Sequence, residues 1–176
     1  MAGPGPVQRD DGLSSEGQVG VVARRSRAAA EVLQSMLARH PELGVAAPEL
    51  ARAYLAIADS LAHGGTLFLC GNGGSMADAL HISGEMLKSY AHPRPLPDDH
   101  RACLAQQPNG EVLVANLQRG LRAIALGTNA VLASAVSNDF AARDLSYAQE
   151  LYALARPGDV FLGISTTGKA ANVRHA

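Results

Sequence analysis

The sequence has few of the residues that mark disulfide-rich or membrane proteins. It contains two cysteines, Cys70 and Cys103, which form neither a Cys-x-x-Cys pair nor an evenly spaced framework, so a reducing cytoplasmic compartment is predicted. No apolar run approaches the roughly 18 residues that span a bilayer, and the N-terminus lacks the apolar core of a signal peptide. We therefore expect no membrane partner.

Charge and aromatic content are low as well. Fifteen basic residues stand against sixteen acidic ones, for a formal net charge of -1, so the clustered basic face typical of nucleic-acid binding is not indicated. Aromatic residues make up 4% of the chain and tryptophan is absent, whereas 47% of the residues are hydrophobic. At 176 residues these values predict one globular domain with an aliphatic core.

The chain opens with a segment unlike the rest. Residues 1–17 are rich in glycine, proline and polar residues and are predicted to be a disordered tail. Apolar residues then recur at helical spacing over residues 18–39, and again from Pro48 to the glycine pair at 64–65. We therefore expect two helices before the first strand.

Apolar runs at three places predict buried strands that alternate with helices. The strands are expected at residues 66–70, 122–126 and 159–164, and the helices at 75–89, 130–137 and 143–155. This alternation is typical of an α/β protein with a parallel sheet and helices on both faces, a three-layer αβα arrangement.

A glycine-rich turn follows the first predicted strand. Gly71, Gly73 and Gly74 precede Ser75 and a helical pattern, which is the order of elements that binds phosphate through backbone N–H groups and the helix dipole. The third glycine of a dinucleotide fingerprint is missing, so that motif is not predicted. Glycines in such a turn can also serve only close packing. Asn72 belongs to the same candidate phosphate site.

His81 and Glu85 stand four residues apart in the predicted helix, and therefore on one face. An imidazole and a carboxylate beside a phosphate site suggest acid–base chemistry on a phosphorylated small molecule, with Glu85 as the better base. A pair with this spacing is also common on solvated helix faces.

Together these segments resemble the sugar isomerase (SIS) domain family, and within it the phosphoheptose isomerases. The resemblance covers about residues 20–176 and is carried by residues 70–75 (CGNGGS), 77–85 (ADALHISGE), 123–126 (AIAL), 137–140 (SNDF) and 156–168 (RPGDVFLGISTTG). It implies an SIS-type sheet over residues 18–176. It also implies an aldose–ketose isomerase that converts sedoheptulose 7-phosphate to a heptose 7-phosphate through an enediol.

A second turn resembles the family's phosphate-gripping loop. Ser165, Thr166 and Thr167 follow the third predicted strand and are expected to bind phosphate, whereas Lys169 and Ala170 depart from the family pattern. The segment from Gly163 to Lys169 also matches seven positions of a nucleotide-binding P-loop. The eighth must be serine or threonine, so a P-loop is disfavoured.

Two further residues are candidates for the sugar hydroxyls. Asn138 and Asp139 follow the second predicted strand, at the sheet edge where open α/β folds bind ligands, although a helix cap explains them equally well. Residues 91–120 begin with three spaced prolines, could contain a short helix over 99–107, and form an insertion relative to the family. We expect the insertion near the mouth of the site.

The resemblance also implies a homotetramer, and in some members a zinc ion held by the equivalents of His81 and Glu85 with two ligands from a C-terminal helix. The family continues beyond the position of Ala176, so the remaining ligands and the second acid–base histidine are expected outside this sequence. Two hypotheses stay open: an isomerase, or a non-catalytic sugar-phosphate-binding SIS module that serves as a regulator or scaffold.

Overall fold

Three parallel strands form the sheet. They are β1 (Leu67–Gly71), β2 (Ala123–Ala125) and β3 (Val160–Ile164), in the order β2-β1-β3. Leu67 of the central strand is paired with Ala123 on one side and Val160 on the other. All five residues of β1 are buried, as a continuous apolar run predicts for the middle of a parallel sheet.

The computed structural model describes residues 14–176 and divides the chain into two units, with the boundary between Asp59 and Ser60. Short 3₁₀ turns occupy Pro41–Ala46 and Arg143–Leu145. The α-helices are α1 (Ser15–Arg25), α2 (Arg27–Arg39), α3 (Ala47–Ala62), α4 (Gly74–Leu87), α5 (Asp98–Ala105), α6 (Gly110–Asn116), α7 (Ala130–Asp139), α8 (Ser146–Leu154) and α9 (Ala171–His175).

The N-terminal region differs from the two helices predicted there. The expected helix over residues 18–39 is broken at Ser26, whose backbone is extended (φ -157°, ψ 118°) and whose hydroxyl accepts a hydrogen bond from the Ala29 N–H at 3.2 Å. Serine favours such a cap because its side chain replaces a missing helical partner. Three α-helices therefore precede β1. Residues 1–13 of the predicted tail lie outside the described residues, and α1 already begins at Ser15.

Each unit has an apolar cluster of its own. In the first unit Val22, Ala30 and Ala51 are buried together. In the second, five buried residues from β1, the end of β2, α8 and α9 form the cluster: Phe68, Cys70, Leu126, Tyr147 and Val173. This second cluster lies under the carboxyl end of β1, where the glycine-rich turn begins.

The insertion packs against the end of α4. The Leu121 N–H donates to the Met86 carbonyl at 2.8 Å, so the segment leaves α4 and returns to it before β2 starts. In a parallel crossover the end of the helix lies at the amino edge of the sheet, opposite the turns that follow the strands. The end of the insertion therefore lies beside the helical turn that carries Glu85, at the end of α4 opposite the glycine-rich turn. Its second helix, α6, was not predicted.

Candidate active site

The two predicted phosphate turns lie side by side. Gly71, the last residue of β1, is in register with Ile164, the last residue of β3. The turns that follow, residues 72–75 and 165–168, therefore emerge together at the carboxyl edge of the sheet. Ligands of open α/β folds bind at this edge.

The first turn leaves two backbone donors free. Gly73 has a positive φ of 55°, which favours glycine, and its carbonyl accepts from the N–H groups of Met76 and Ala77 at 3.1 and 3.2 Å. The Ser75 N–H donates to the Asn72 carbonyl at 3.0 Å. The N–H groups of Gly73 and Gly74 donate to no carbonyl of residues 14–176. These two donors at the start of α4 are available to an anion.

Asn72 uses its side chain to hold the turn. Its Nδ2 donates to Asn172 Oδ1 at 2.9 Å, and Asn172 Nδ2 donates back to Asn72 Oδ1 at 2.8 Å. The Val173 N–H donates to Asn172 Oδ1 at 3.0 Å, which fixes the orientation of that amide. Asn72, predicted as a phosphate ligand, therefore has one Nδ2 hydrogen left to offer.

Tyr147 also belongs to this hydrogen-bond network. Its hydroxyl donates to the Gly71 carbonyl at 2.6 Å and lies 3.3 Å from Asn72 Oδ1. Desolvation by burial, with smaller contributions from Cys70 and Glu150, raises the pKa of Tyr147, so the hydroxyl stays protonated and able to donate. Neither Tyr147 nor Asn172 could be predicted from the sequence, because their roles arise from contacts between distant parts of the chain.

The second turn is rich in hydroxyl groups, and one of them is already bound. The Lys169 N–H donates to Thr167 Oγ1 at 3.3 Å, and the Gly168 N–H donates to the Ser165 carbonyl at the same distance. Within residues 14–176, the hydroxyls of Ser75, Ser165 and Thr166 have no hydrogen-bond partner. Gly73 rather than Ser75 is the N-cap of α4, with no side-chain capping bond. These three hydroxyls are therefore free to bind a ligand.

The candidate acid–base pair lies farther along α4. His81 Nε2 is 3.4 Å from Glu85 Oε1, with 77% of the histidine side chain and 38% of the glutamate side chain exposed. At the rise of an α-helix, His81 and Glu85 lie about 10 and about 16 Å along the axis from Gly74. The pair thus lies about two to three helical turns beyond the glycine-rich turn. Both groups are accessible from solvent.

Asn138 and Asp139 are not linked to the two turns. They lie in the last turn of α7, where Asn138 Nδ2 donates to Asp139 Oδ1 at 2.7 Å. Neither side chain bonds to the β1 or β3 turn. The residue that caps α7 is Asn129, whose Oδ1 accepts from the Leu132 N–H at 3.1 Å. Asn138 and Asp139 cap neither the 3₁₀ turn nor helix α8 that follow them, so the capping alternative is wrong. Their role at a sugar stays a prediction.

The described side chains do not form a complete zinc site. Zinc takes about three or four protein ligands. Across residues 14–176, no three His, Cys, Asp or Glu side chains are grouped so that they could hold a metal ion. His81 and Glu85 provide two donors, so zinc stays a prediction that depends on ligands from elsewhere. In the same part of the chain no helix is long and apolar enough to cross a bilayer.

Comparison with known proteins defines the class. The model of the SIS domain family matches residues 33–116. Strand β1, the glycine-rich turn that follows it and helix α4 lie within the matched residues. The chain belongs to the SIS domain family.

The similar proteins are phosphoheptose isomerases. That of Thiobacillus denitrificans is 37% identical over 130 residues, which is 74% of this chain and 53% of the relative. That of Crocosphaera subtropica is 39% identical over 113 residues, or 64% and 45%. The solved structure of phosphoheptose isomerase GmhA from Neisseria gonorrhoeae has a TM-score of 0.57 and 30% identity, covering 86% of this chain and 66% of that one. The chain spans about half the length of the curated relatives it matches.

Proposed function

We propose that this chain forms the sugar-phosphate-binding part of an aldose–ketose isomerase that interconverts sedoheptulose 7-phosphate and a heptose 7-phosphate. One observation carries the proposal: two turns with free donors lie in register on adjacent strands, and the helix that begins at the first turn bears an acid–base pair. Relatives named for this activity support the choice of reaction.

Both turns provide hydrogen-bond donors to the phosphate. The N–H groups of Gly73 and Gly74 and the positive end of the α4 dipole attract the anion, while the Ser75 hydroxyl donates to it. From β3, Ser165 and Thr166 add two more hydroxyl donors. A phosphate held in this way leaves the sugar chain to run along α4 toward His81.

His81 and Glu85 on α4 then transfer the protons of the isomerisation. In the ketose-to-aldose direction, Glu85 removes a proton from C1 while His81 donates one to the carbonyl oxygen at C2, which gives the enediol. Return of a proton to C2 and loss of the proton from the C1 hydroxyl produce the aldose. Glu85 has the lower exposure of the two, as suits a base that must meet a carbon acid away from bulk water.

We extend the proposal to assembly and metal. Because the relatives are about twice as long as the matched region, we expect a zinc site at His81 and Glu85 only when further ligands are supplied from outside residues 14–176. We also expect a homotetramer in a reducing cytoplasm. Metal analysis and light scattering of the purified protein test these two expectations separately from turnover.

The test of function is Glu85→Gln in the protein supplied with sedoheptulose 7-phosphate, with aldose formation followed by NMR. Glu85→Gln should lower turnover by about 10²–10⁴-fold with little change in affinity for the sugar phosphate. Glu111→Gln on α6, an exposed carboxylate with no partner among residues 14–176, is the matched control and should leave turnover unchanged. Tight binding by the wild type without turnover or exchange of the C1 proton would instead support the non-catalytic SIS module.

A further inference from the structure

The carboxyl end of α4 is held by Arg94 of the insertion and by residues that flank the insertion. A helix leaves its last four carbonyl groups without helical partners. Here the Met86 carbonyl accepts from the Leu121 N–H at 2.8 Å, and the Gly84 carbonyl accepts from the Lys88 N–H at 2.9 Å. Among residues 14–176, the Glu85 carbonyl accepts from one group only, the guanidinium of Arg94. That residue lies in the insertion, six residues past Lys88.

Arg94 binds two of these carbonyls at once. Its Nη2 donates to the Glu85 carbonyl at 2.9 Å and to the Met86 carbonyl at 2.8 Å. The carbonyl of Arg94 in turn accepts from the Arg119 N–H at 2.8 Å, which ties the two ends of the insertion together. A positive charge at this point also faces the negative end of the α4 dipole. Arg94 therefore fixes the backbone of the residue that carries the candidate base.

We infer that Arg94 is a positioning residue for Glu85, so that the insertion acts on the reaction through the last turn of α4. The inference rests on the proposed function, because it matters only if Glu85 is the base. Helix ends fray when their carbonyls lose partners, and Glu85 lies in the last turn of a helix that ends at Leu87. A base displaced by about 1 Å loses about 10²-fold in rate, so this contact bears directly on turnover.

The arginine also leaves one donor unpaired. Arg94 Nε is buried and has no hydrogen-bond partner within residues 14–176. A buried unpaired donor lowers stability, and lysine has a methylene group in place of the arginine Nε. Arg94→Lys therefore keeps a cation near the two carbonyls while it removes the unpaired donor. This makes lysine the variant that separates positioning from folding.

The experiment compares Arg94→Ala and Arg94→Lys with Arg101→Ala. Arg101 lies on α5, is exposed, and has no side-chain partner among residues 14–176, so its replacement removes the same charge from the same insertion. For Arg94→Ala we expect kcat to fall by about 10–100-fold while KM changes by less than about twofold, because the phosphate turns are untouched. Arg94→Lys should recover most of kcat, and Arg101→Ala should equal the wild type.

Hydrogen exchange supplies a readout that does not depend on turnover. In Arg94→Ala the amides of Met86, Leu87 and Lys88 should exchange faster, while those of Met76 and Ala77 at the start of α4 should be unchanged. Equal exchange throughout α4 would overturn the inference. So would a kcat unaffected in Arg94→Ala although Glu85→Gln abolishes turnover, or a loss in which kcat and affinity fall together and lysine restores neither. Full turnover in Glu85→Gln would instead overturn the proposed function, and the positioning role with it.

Discussion

Removal of one hydroxyl, by Tyr147→Phe, tests how the glycine-rich turn is held. The hydroxyl is buried, donates to the Gly71 carbonyl at 2.6 Å and approaches Asn72 Oδ1 at 3.3 Å. Phenylalanine keeps the ring, which contacts Gly127 and the cluster around Phe68. The substitution therefore removes hydrogen bonds at the end of β1 and leaves the packing in place.

The expected loss of unfolding free energy depends on the buried acceptor that Tyr147→Phe leaves without a donor. Loss of a buried hydrogen bond that leaves an acceptor unsatisfied costs about 1–3 kcal/mol of unfolding free energy. The mutual bonds of Asn72 and Asn172 remain, so we expect the turn to persist and turnover to continue. For a chain of this size each kcal/mol lowers the melting midpoint by about 2–4 °C.

Urea denaturation of the wild type, Tyr147→Phe and Tyr152→Phe measures this cost. Tyr152 lies on the same helix, α8, but is 88% exposed, so its hydroxyl is already in water and its loss should change stability by less than about 0.5 kcal/mol. The slope of the transition should be the same in all three proteins. Equal stability of Tyr147→Phe and the wild type, or an equal loss in Tyr152→Phe, would refute the role assigned to the buried hydroxyl.

Three further predictions concern the two cysteines and Gly73. A thiol reagent at pH 8 should modify one cysteine of the folded protein, the exposed Cys103, and two after denaturation, because Cys70 is buried. Burial raises the pKa of Cys70 from 9.0 to about 11. The contribution of the protonated thiol to stability should therefore be complete below pH 9 and lost as the pH rises toward 11. In denaturant titrations Cys70→Ala should reduce this loss of stability at alkaline pH. Gly73→Ala should cost about 1–2 kcal/mol in the same titrations, because φ is 55° at this position, whereas Gly84→Ala on α4 should not destabilise the protein.

The strands could be predicted from the sequence because their signal is local. Strands β1 and β3 begin and end within about a residue of the predicted bounds, because strands of a parallel sheet appear as nearly uninterrupted apolar runs. The predicted burial holds for all of β1, whereas the residues of β3 are half-buried or exposed. Helix α3 likewise ends just before the glycine pair at 64–65, where the sequence predicts its end. In each case the residues that determine the element lie inside it.

The break between α1 and α2 and the position of α6 could not be predicted from the spacing of apolar residues. The apolar spacing of residues 18–39 continues across Ser26, so periodicity alone gives one helix where the structure has two. The deciding event is the capping bond from the Ala29 N–H to the serine hydroxyl, which competes with the helix locally. At α6 the residues Pro108, Asn109 and Gly110 are typical of a turn, but the helix of seven residues that begins at Gly110 is too short to show a clear period.

In the candidate site, the sequence predicts which polar residues are present. It does not predict whether their hydrogen-bonding groups are free to bind a ligand. Asn72 and Thr167 were both expected to bind phosphate, yet the Asn72 amide is paired with Asn172, 100 residues away, and the Thr167 hydroxyl with the Lys169 N–H. A polar group that the fold has already bound must break that bond before it can serve a ligand, which reduces the gain in binding. Ser75 and Ser165 make no such bond within residues 14–176. For this reason Ser75→Ala and Ser165→Ala should weaken sugar-phosphate binding more than Thr167→Ala in equilibrium titrations, and the reverse order would show that free hydroxyls do not select the ligands here.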